Sequence, residues 1–389
     1  MKKLLLAIVA FTAGISLFAE NPKFTIQYGP WVTNVDGTSF TVLWTTETDA
    51  MVRVEIAPDD GSAFEATARQ CFYESVAGRR LCGKKHAVKV SGLEPGQTYR
   101  YRIVGKNISD GSNPYAIVYG QENTAKGAWK VTTFDTQVDE CKFFMVNDMH
   151  DNADKYSNLV SDVKADNYDF IMLNGDIVSY SNSLYTIIDH TFSPIKGICA
   201  NLPVVFARGN HEGRGFEWYL TPWAFPSRTG EFYYTFRQGP VAFVVLDAGE
   251  DKPDTSCEYS GYAVYDEYRA AELEWLKGAV KEPEFASAPV KVCLMHIPAI
   301  RDKDSWYSQI WANENFLPVL NEAGVDLMLS GHHHELLTRE KGECGNGFPI
   351  IANSNVDRLD FKADAKGNIS IDILNADKKV IKHYDYKAR

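Results

Sequence analysis

Val325-Asp326-Leu327-Met328-Leu329-Ser330-Gly331-His332-His333-His334 is an apolar, strand-like run that ends in a glycine and three adjacent histidines. Three neighbouring imidazoles have little structural use, so the run reads as a strand whose carboxyl end carries metal ligands. Four earlier segments share that design. Phe143-Phe144-Met145-Val146 leads into Asn147-Asp148-Met149-His150. Phe170-Ile171-Met172-Leu173 leads into Asn174-Gly175-Asp176. Val204-Val205-Phe206-Ala207 leads into Arg208-Gly209-Asn210-His211-Glu212, and the strand-like run 290–295 leads into His296. The chain has 9 histidines; His150, His211, His296, His332, His333 and His334 all lie in these strand ends. Ligands of α/β sheets gather at the carboxyl ends of strands, so the five ends are expected to converge on one sheet edge.

Each segment alone has an ordinary alternative. Asp148-Met149-His150 could be a surface turn, Gly175-Asp176 an Asp turn, Gly209-Asn210-His211 a turn with a satisfied polar pair, and His296 a core histidine. The set and its order argue for chemistry.

Helix-like segments over 152–164 and 184–199 separate the first three strands, a β-α-β-α-β order that predicts a sheet covered by helices. A hairpin (232–236 and 241–246), helices near 267–280 and 313–322, and closing strands at 369–373 and 380–386 complete this part. The pattern before about residue 130 differs. Ser39–Thr45 and Met51–Ile56 alternate apolar and polar residues, and further short strands follow between Gly, Pro and Asp turns. That spacing predicts a β-sandwich with Trp44 in its core and Tyr99, after a Leu-x-Pro-Gly turn, as a tyrosine corner. The predicted boundaries are 24–132 for the sandwich and 138–389 for the α/β domain.

Met1-Lys2-Lys3 and the apolar run Leu4–Leu17 read as a signal peptide ending at Ala19. Leu17 then occupies a position that favours a small residue, so an uncleaved N-terminal anchor is the alternative. No later segment is long and apolar enough to span a bilayer. The expectation is an exported protein, periplasmic or secreted, with no transmembrane segment after cleavage. The 7 cysteines contain no C-x-x-C pair, which gives no thiolate zinc site; Cys71 and Cys82 could bridge a hairpin, and Cys141 and Cys293 read as buried thiols. A net charge of -11 disfavours a dedicated nucleic-acid binder but admits a small phosphorylated substrate, because bound cations would dominate the field of a site. Oligomeric state is open.

The order D-x-H, G-D, G-N-H-E, a lone His after a strand, then G-H-x-H resembles the signature of calcineurin-like metallophosphoesterases over about 142–355. The first domain resembles a fibronectin type III-like module, a placement similar to that in purple acid phosphatases. The resemblance implies a four-layer α/β/β/α sandwich preceded by an all-β sandwich. It also implies two transition-metal ions, Mn, Fe or Zn, with Asp148, His150 and His334 holding the first, Asn210, His296 and His332 the second, and Asp176 bridging. The chain departs from the purple enzymes at Ser179, where they carry a Tyr; Tyr180 is one residue late, and His150 is read as the replacement ligand.

Cleavage of a phosphate monoester is expected, by in-line attack of a metal-bridging hydroxide with His211 as general acid. Asn210, His333 and Arg214 are candidate substrate contacts, although His333 could equally face solvent, and Arg208 and Arg214 could be surface residues. Glu212 could support a ligand histidine, and His190 could touch substrate or solvent. Trp218, Tyr219, Trp223, Trp306, Tyr307 and Trp311 could line a cleft or pack the sheet edge. The alternatives are a phosphodiesterase or pyrophosphatase on the same centre, and a non-catalytic surface-binding protein that keeps a decayed fold. A zinc peptidase lacks its H-E-x-x-H helix.

Overall fold

The computed structural model describes residues 23–65 and 69–389; the expected signal peptide over 1–19 lies outside them. Among the described residues no helix is long and apolar enough to cross a membrane.

The alternating segments form β1 (Tyr28–Thr33), β2 (Ser39–Pro58), β3 (Cys82–Ser91), β4 (Thr98–Asp110) and β5 (Trp129–Thr132), with short strands between. β2 pairs with β1 and β3 through its first half. After a register break between Thr45 and Ala50 it pairs with β4. One long strand thus serves two layers, and Phe40, Val42, Trp44, Val54 and Ile103 share their core. Trp44 is fully buried. The Tyr99 hydroxyl accepts a 3.0 Å hydrogen bond from the Glu94 amide, the arrangement of a tyrosine corner. Cys71 and Cys82 are not bridged. They lie opposite Glu55 and Met51 of β2, roughly 13 Å apart along the strand, too far for a disulfide; both are free and exposed, whereas Cys141 and Cys293 are buried.

The α/β part comprises β6 (Glu140–Val146), α1 (Ala153–Leu159), β7 (Phe170–Asn174), α2 (Leu184–Phe192), β8 (Val204–Ala207), β9 (Tyr234–Gln238), β10 (Val241–Leu246), α3 (Tyr265–Ala279), β11 (Val290–Met295), α4 (Tyr307–Glu322), β12 (Leu327–Ser330), β13 (Leu337–Arg339), β14 (Ile350–Ala352), β15 (Arg358–Asp364), β16 (Asn368–Leu374) and β17 (Val380–Lys387). One sheet runs β8-β7-β6-β15-β16-β17, and the other β9-β10-β11-β12-β14-β13.

Period-two alternation explains why these strands are apolar throughout. Phe143, Met145, Phe170 and Met172 face the other sheet, together with Val292 and Leu294. Phe144, Val146, Ile171 and Leu173 face α1 and α2. Cys293 and Met295 face α3 and α4. The result is the α/β/β/α order, with one apolar layer between the sheets and one under each helical layer.

Two helices differ from their expected extents. α1 stops at Leu159, short of 164, because Arg358 takes the Leu159 carbonyl at 2.9 Å and the Asp162 carboxylate at 2.6 Å. α4 begins at Tyr307, ahead of 313, because the Gln309 side chain caps it by accepting from the Trp306 amide at 2.9 Å.

The N-terminal module is joined to the α/β part. Thr33 of β1 pairs with Val204 at the start of β8, so the first sheet continues through both. Trp31, fully buried, stacks on Phe192 at 4.3 Å and donates from Nε1 to the Ala224 carbonyl at 3.0 Å. The Tyr101 hydroxyl donates to the Ala200 carbonyl at 2.6 Å.

Candidate metal centre

The five strand ends meet at one place. Asp148 and His150 follow β6, Asp176 follows β7, Asn210 and His211 follow β8, His296 follows β11, and His332 and His334 follow β12. Ligand atoms of Asp148, His150 and His334 lie within 4.8 Å of one another, and so do those of Asp176, His296 and His332. Asn210 joins the second set, its Oδ1 3.2 Å from His332 Nδ1.

The turns that present these residues are strained. Asp148, His150, Asp151, Asp176, His332 and His334 all have positive φ, between 46° and 73°, and make up 6 of the 10 non-glycine residues in that region among the described residues. Such a backbone costs on the order of 1–3 kcal/mol each and persists where surrounding structure enforces it. Glycine is required at two neighbouring positions. A Cβ on Gly175 would lie 2.6 Å from Gly209 Cα and from His296 Cγ, and one on Gly209 would lie 2.2 Å from Asp176 Oδ1.

Much of the enforcement comes from Glu212, which is buried. Its Oε2 accepts from the amides of Asp176 and Gly209, both at 2.9 Å, and its Oε1 accepts from the Ile177 amide at 2.8 Å. Glu212 therefore pins two of the ligand turns through their backbone and does not touch a ligand histidine. Burial and the nearby Asp176 push its carboxyl up to about 7, against the pull of the amides. Asp151 ties the first turn to the second: its carboxylate accepts from the Ser179 amide at 3.1 Å and pairs with His190 Nδ1 at 2.6 Å. His190 thus has a buttressing place that its position in the helix-like segment after the second motif did not disclose.

The donor set fits a pair of cations. Asp148 and Asp176 are 0% and 2% exposed, and burying two carboxylates side by side is costly without positive charge between them. Asp148 Oδ2 is satisfied by Asn147 Nδ2 at 2.7 Å and by the His332 amide at 2.8 Å. Its Oδ1 is buried without an aligned hydrogen bond, its nearest polar neighbour being His334 Nε2 at 3.3 Å, and His296 Nε2 is likewise unaligned, 3.2 Å from Asp176 Oδ2. His296 Nδ1 donates to the Asn174 carbonyl at 2.6 Å, which fixes the tautomer and leaves Nε2 bare, the way protein imidazoles are set for metal. Burial opposes protonation of His296, yet Asp176 and Asp148 lift it to about 10, so the field here favours positive charge. Burial holds His332 down at about 3 and lowers His150, which leaves both as neutral donors.

His211 sits at the edge of this cluster, its Nε2 3.9 Å from Asp176 Oδ2. Its Nδ1 lies 2.9 Å from the Ser179 carbonyl, which can only accept, so Nδ1 carries the proton and Nε2 accepts from Arg214 Nη1 at 2.8 Å. Arg214 is in turn held by both oxygens of Glu250 at 2.7 Å.

The remaining candidates divide. His333 turns away from its neighbours and lies 2.6 Å from Gln309 Nε2 on α4, so it braces that helix against β12. Arg208, read as a surface residue, is buried and paired with Asp247 at 2.7 Å. Trp306 stands 6.4 Å from the His332 ring, whereas Trp223 packs edge-on against Trp31. Tyr180 is half-exposed, 6.3 Å from the His211 ring. Asn147, Asp151 and Glu250 carry no motif of their own, and only their adjacency to motif residues or to charged neighbours hinted at them.

Residues 141–336 match the family model described as calcineurin-like phosphoesterase, and residues 27–132 match that of the purple acid phosphatase N-terminal domain. Purple acid phosphatase 23 of Arabidopsis thaliana is 24% identical over 377 residues, covering 83% of this chain and 78% of that protein. The serine/threonine-protein phosphatase CPPED1 of Danio rerio is 25% identical over 195 residues, covering 48% of this chain and 59% of its own length. A purple acid phosphatase from yellow lupin (Lupinus luteus) seeds has the same fold, with a TM-score of 0.65 at 15% identity over 92% of this chain and 74% of that one.

Proposed function

The chain belongs to the calcineurin-like phosphoesterase family, and on that premise we propose that it is a two-metal hydrolase of a small phosphate monoester. The observation that carries this reading is the pair of ligand clusters, Asp148, His150 and His334 beside Asp176, His296 and His332; Asp176 Oδ2 also lies 3.9 Å from His150 of the first cluster, which supports it as the shared ligand. Asn210 completes the second set. A bound metal pair supplies Lewis acidity that activates water and neutralises phosphate charge. The chain's own residues do the rest. Asp148 and Asp176 provide the anionic field, and Glu212 and Asp151 keep the ligand turns in register. His211, at the rim, protonates the leaving oxygen once its Nε2 has received a proton and Arg214 has yielded that position. Ser179 offers no phenol, and Tyr180 stands at the rim, so His150 takes the ligand place that a Tyr fills in the purple enzymes. Export belongs to the same proposal and rests on the sequence of residues 1–19.

The test is hydrolysis of a chromogenic monoester and a chromogenic diester by protein loaded in turn with Mn, Fe and Zn. The monoester is expected to be the better substrate. Asp176→Asn is expected to lose both metal binding and hydrolysis. Full activity in that variant would overturn the two-metal assignment, and faster diester cleavage would replace the monoesterase reading.

A further inference from the structure

Beside the metal centre lies a cavity of about 980 Å³ that the ligand residues do not line. Arg214 and Tyr180 border it, and both flank His211, Arg214 Nη1 at 2.8 Å and the Tyr180 ring at 6.3 Å between centres, whereas the metal centre's His150 and Asp176, which also adjoin His211, do not line it. A leaving group protonated by His211 would depart on that side.

The chemistry of the wall is uneven. The three cations that border it are each held by a carboxylate: Arg214 by Glu250 at 2.7 Å, Lys252 by Glu258 at 2.9 Å and Arg208 by Asp247 at 2.7 Å. What the wall offers instead is aromatic faces, among them Phe216, Trp218, Tyr262 and Tyr265. Phe216 is 90% exposed and Tyr262 79% exposed. Exposed rings gathered along one concavity mark a binding surface, and a concave aromatic wall whose cations are already paired, with Glu231 the one lining carboxylate without an ion pair among the described residues, suits an uncharged ring.

We propose that this cavity is the leaving-group subsite and that the substrate is a phosphate monoester whose alcohol carries an aromatic ring. The proposal rests on the metal-centre reading and on His211 as the acid. The phosphate stays with Asp148, Asp176 and the histidines; the ring crosses the Arg214–Tyr180 border and lies among Phe216, Trp218 and Tyr262. Arg214, fixed by Glu250 on one side and by His211 on the other, forms that border.

Benzyl phosphate and ethyl phosphate release alcohols of similar basicity, so the ratio of their kcat/KM values reports ring binding and not leaving ability. The ratio is expected to exceed about 10 in the metal-loaded protein and to fall about five- to tenfold, through KM, in Phe216→Ala and Tyr262→Ala. Both side chains are exposed, so truncation leaves the core intact. Calorimetric titration with 2-naphthol tests the cavity apart from catalysis, with binding expected in the parent protein and weakened in both variants. Equal hydrolysis of the two esters overturns the subsite and leaves the phosphatase reading standing. Naphthol binding without hydrolysis of either ester overturns the phosphatase reading, and with it the leaving-group role of the cavity.

Discussion

His150 Nε2 and His334 Nε2 lie 3.1 Å apart, although 184 residues of chain separate them, and both face the buried Asp148 Oδ1, at 3.9 Å and 3.3 Å. Two imidazole nitrogens this close share one cation comfortably, since ligands about 2.1 Å from a metal stand roughly 3–4 Å from each other. His150→Ala is expected to remove one of the two metal equivalents and to lower hydrolysis by at least about 100-fold. Metal content per chain by elemental analysis, read beside activity, checks this. Two retained equivalents would remove His150 from the ligand set.

Glu212 supports the site without entering it. Glu212→Gln turns one accepting oxygen into an N–H donor that must face backbone N–H groups of Asp176 and Gly209 or of Ile177. The expected cost is roughly 2–4 kcal/mol of stability with a 10- to 100-fold loss of metal affinity of the order typical for outer-shell changes. Urea unfolding and metal titration measure the two effects, and an unchanged unfolding midpoint would mean the amides are not carried by this carboxylate.

A proton donor matters most for a poor leaving group. His211→Ala is expected to slow an alkyl phosphate by roughly 10²–10⁴-fold and a nitrophenyl phosphate, whose leaving oxygen needs no proton, far less. Equal losses on both esters would assign His211 to phosphate binding and not to acid catalysis.

His86 reports on the N-terminal module. It is 2% exposed, stacked on Trp44 at 5.2 Å and 3.1 Å from the Thr46 hydroxyl. Burial lowers its pKa from 6.5 to about 4. The folded chain therefore refuses a proton that the unfolded chain accepts. The associated stability is complete above pH 6.5 and is lost as the pH falls from there toward 4. Between pH 7 and pH 5 the loss attributable to His86 is about 2 kcal/mol. Urea unfolding of the parent and of His86→Gln at both pH values isolates it: the parent should lose that much more than the variant. Parallel losses would show that His86 is not the group responsible.

The joined N-terminal module and the bracing of the centre depend on contacts that no local stretch of sequence contains. The strand ends were identifiable because each couples an apolar run to metal-ligand residue types, a local pattern that needs no partner to be read. Alternation in 39–56 and the Leu-x-Pro-Gly-x-x-Tyr turn disclosed the sandwich in the same way. Glu212 looked like a support for a histidine because adjacency in sequence says nothing about which amides a side chain reaches. His333 looked like a site residue because its neighbours are; only packing against α4 showed that it faces Gln309.

By itself the sequence determined the fold class, the family and the residues able to bind metal, since apolar periodicity and donor chemistry are written residue by residue. Tertiary structure alone decided how those residues group around the run Gly331-His332-His333-His334, which turns carry left-handed strain, and that Arg214 holds His211 beside an aromatic cavity. Those relations join residues tens to hundreds of positions apart, and they exist only after burial brings the ends of five strands to one edge and forces two carboxylates together out of water.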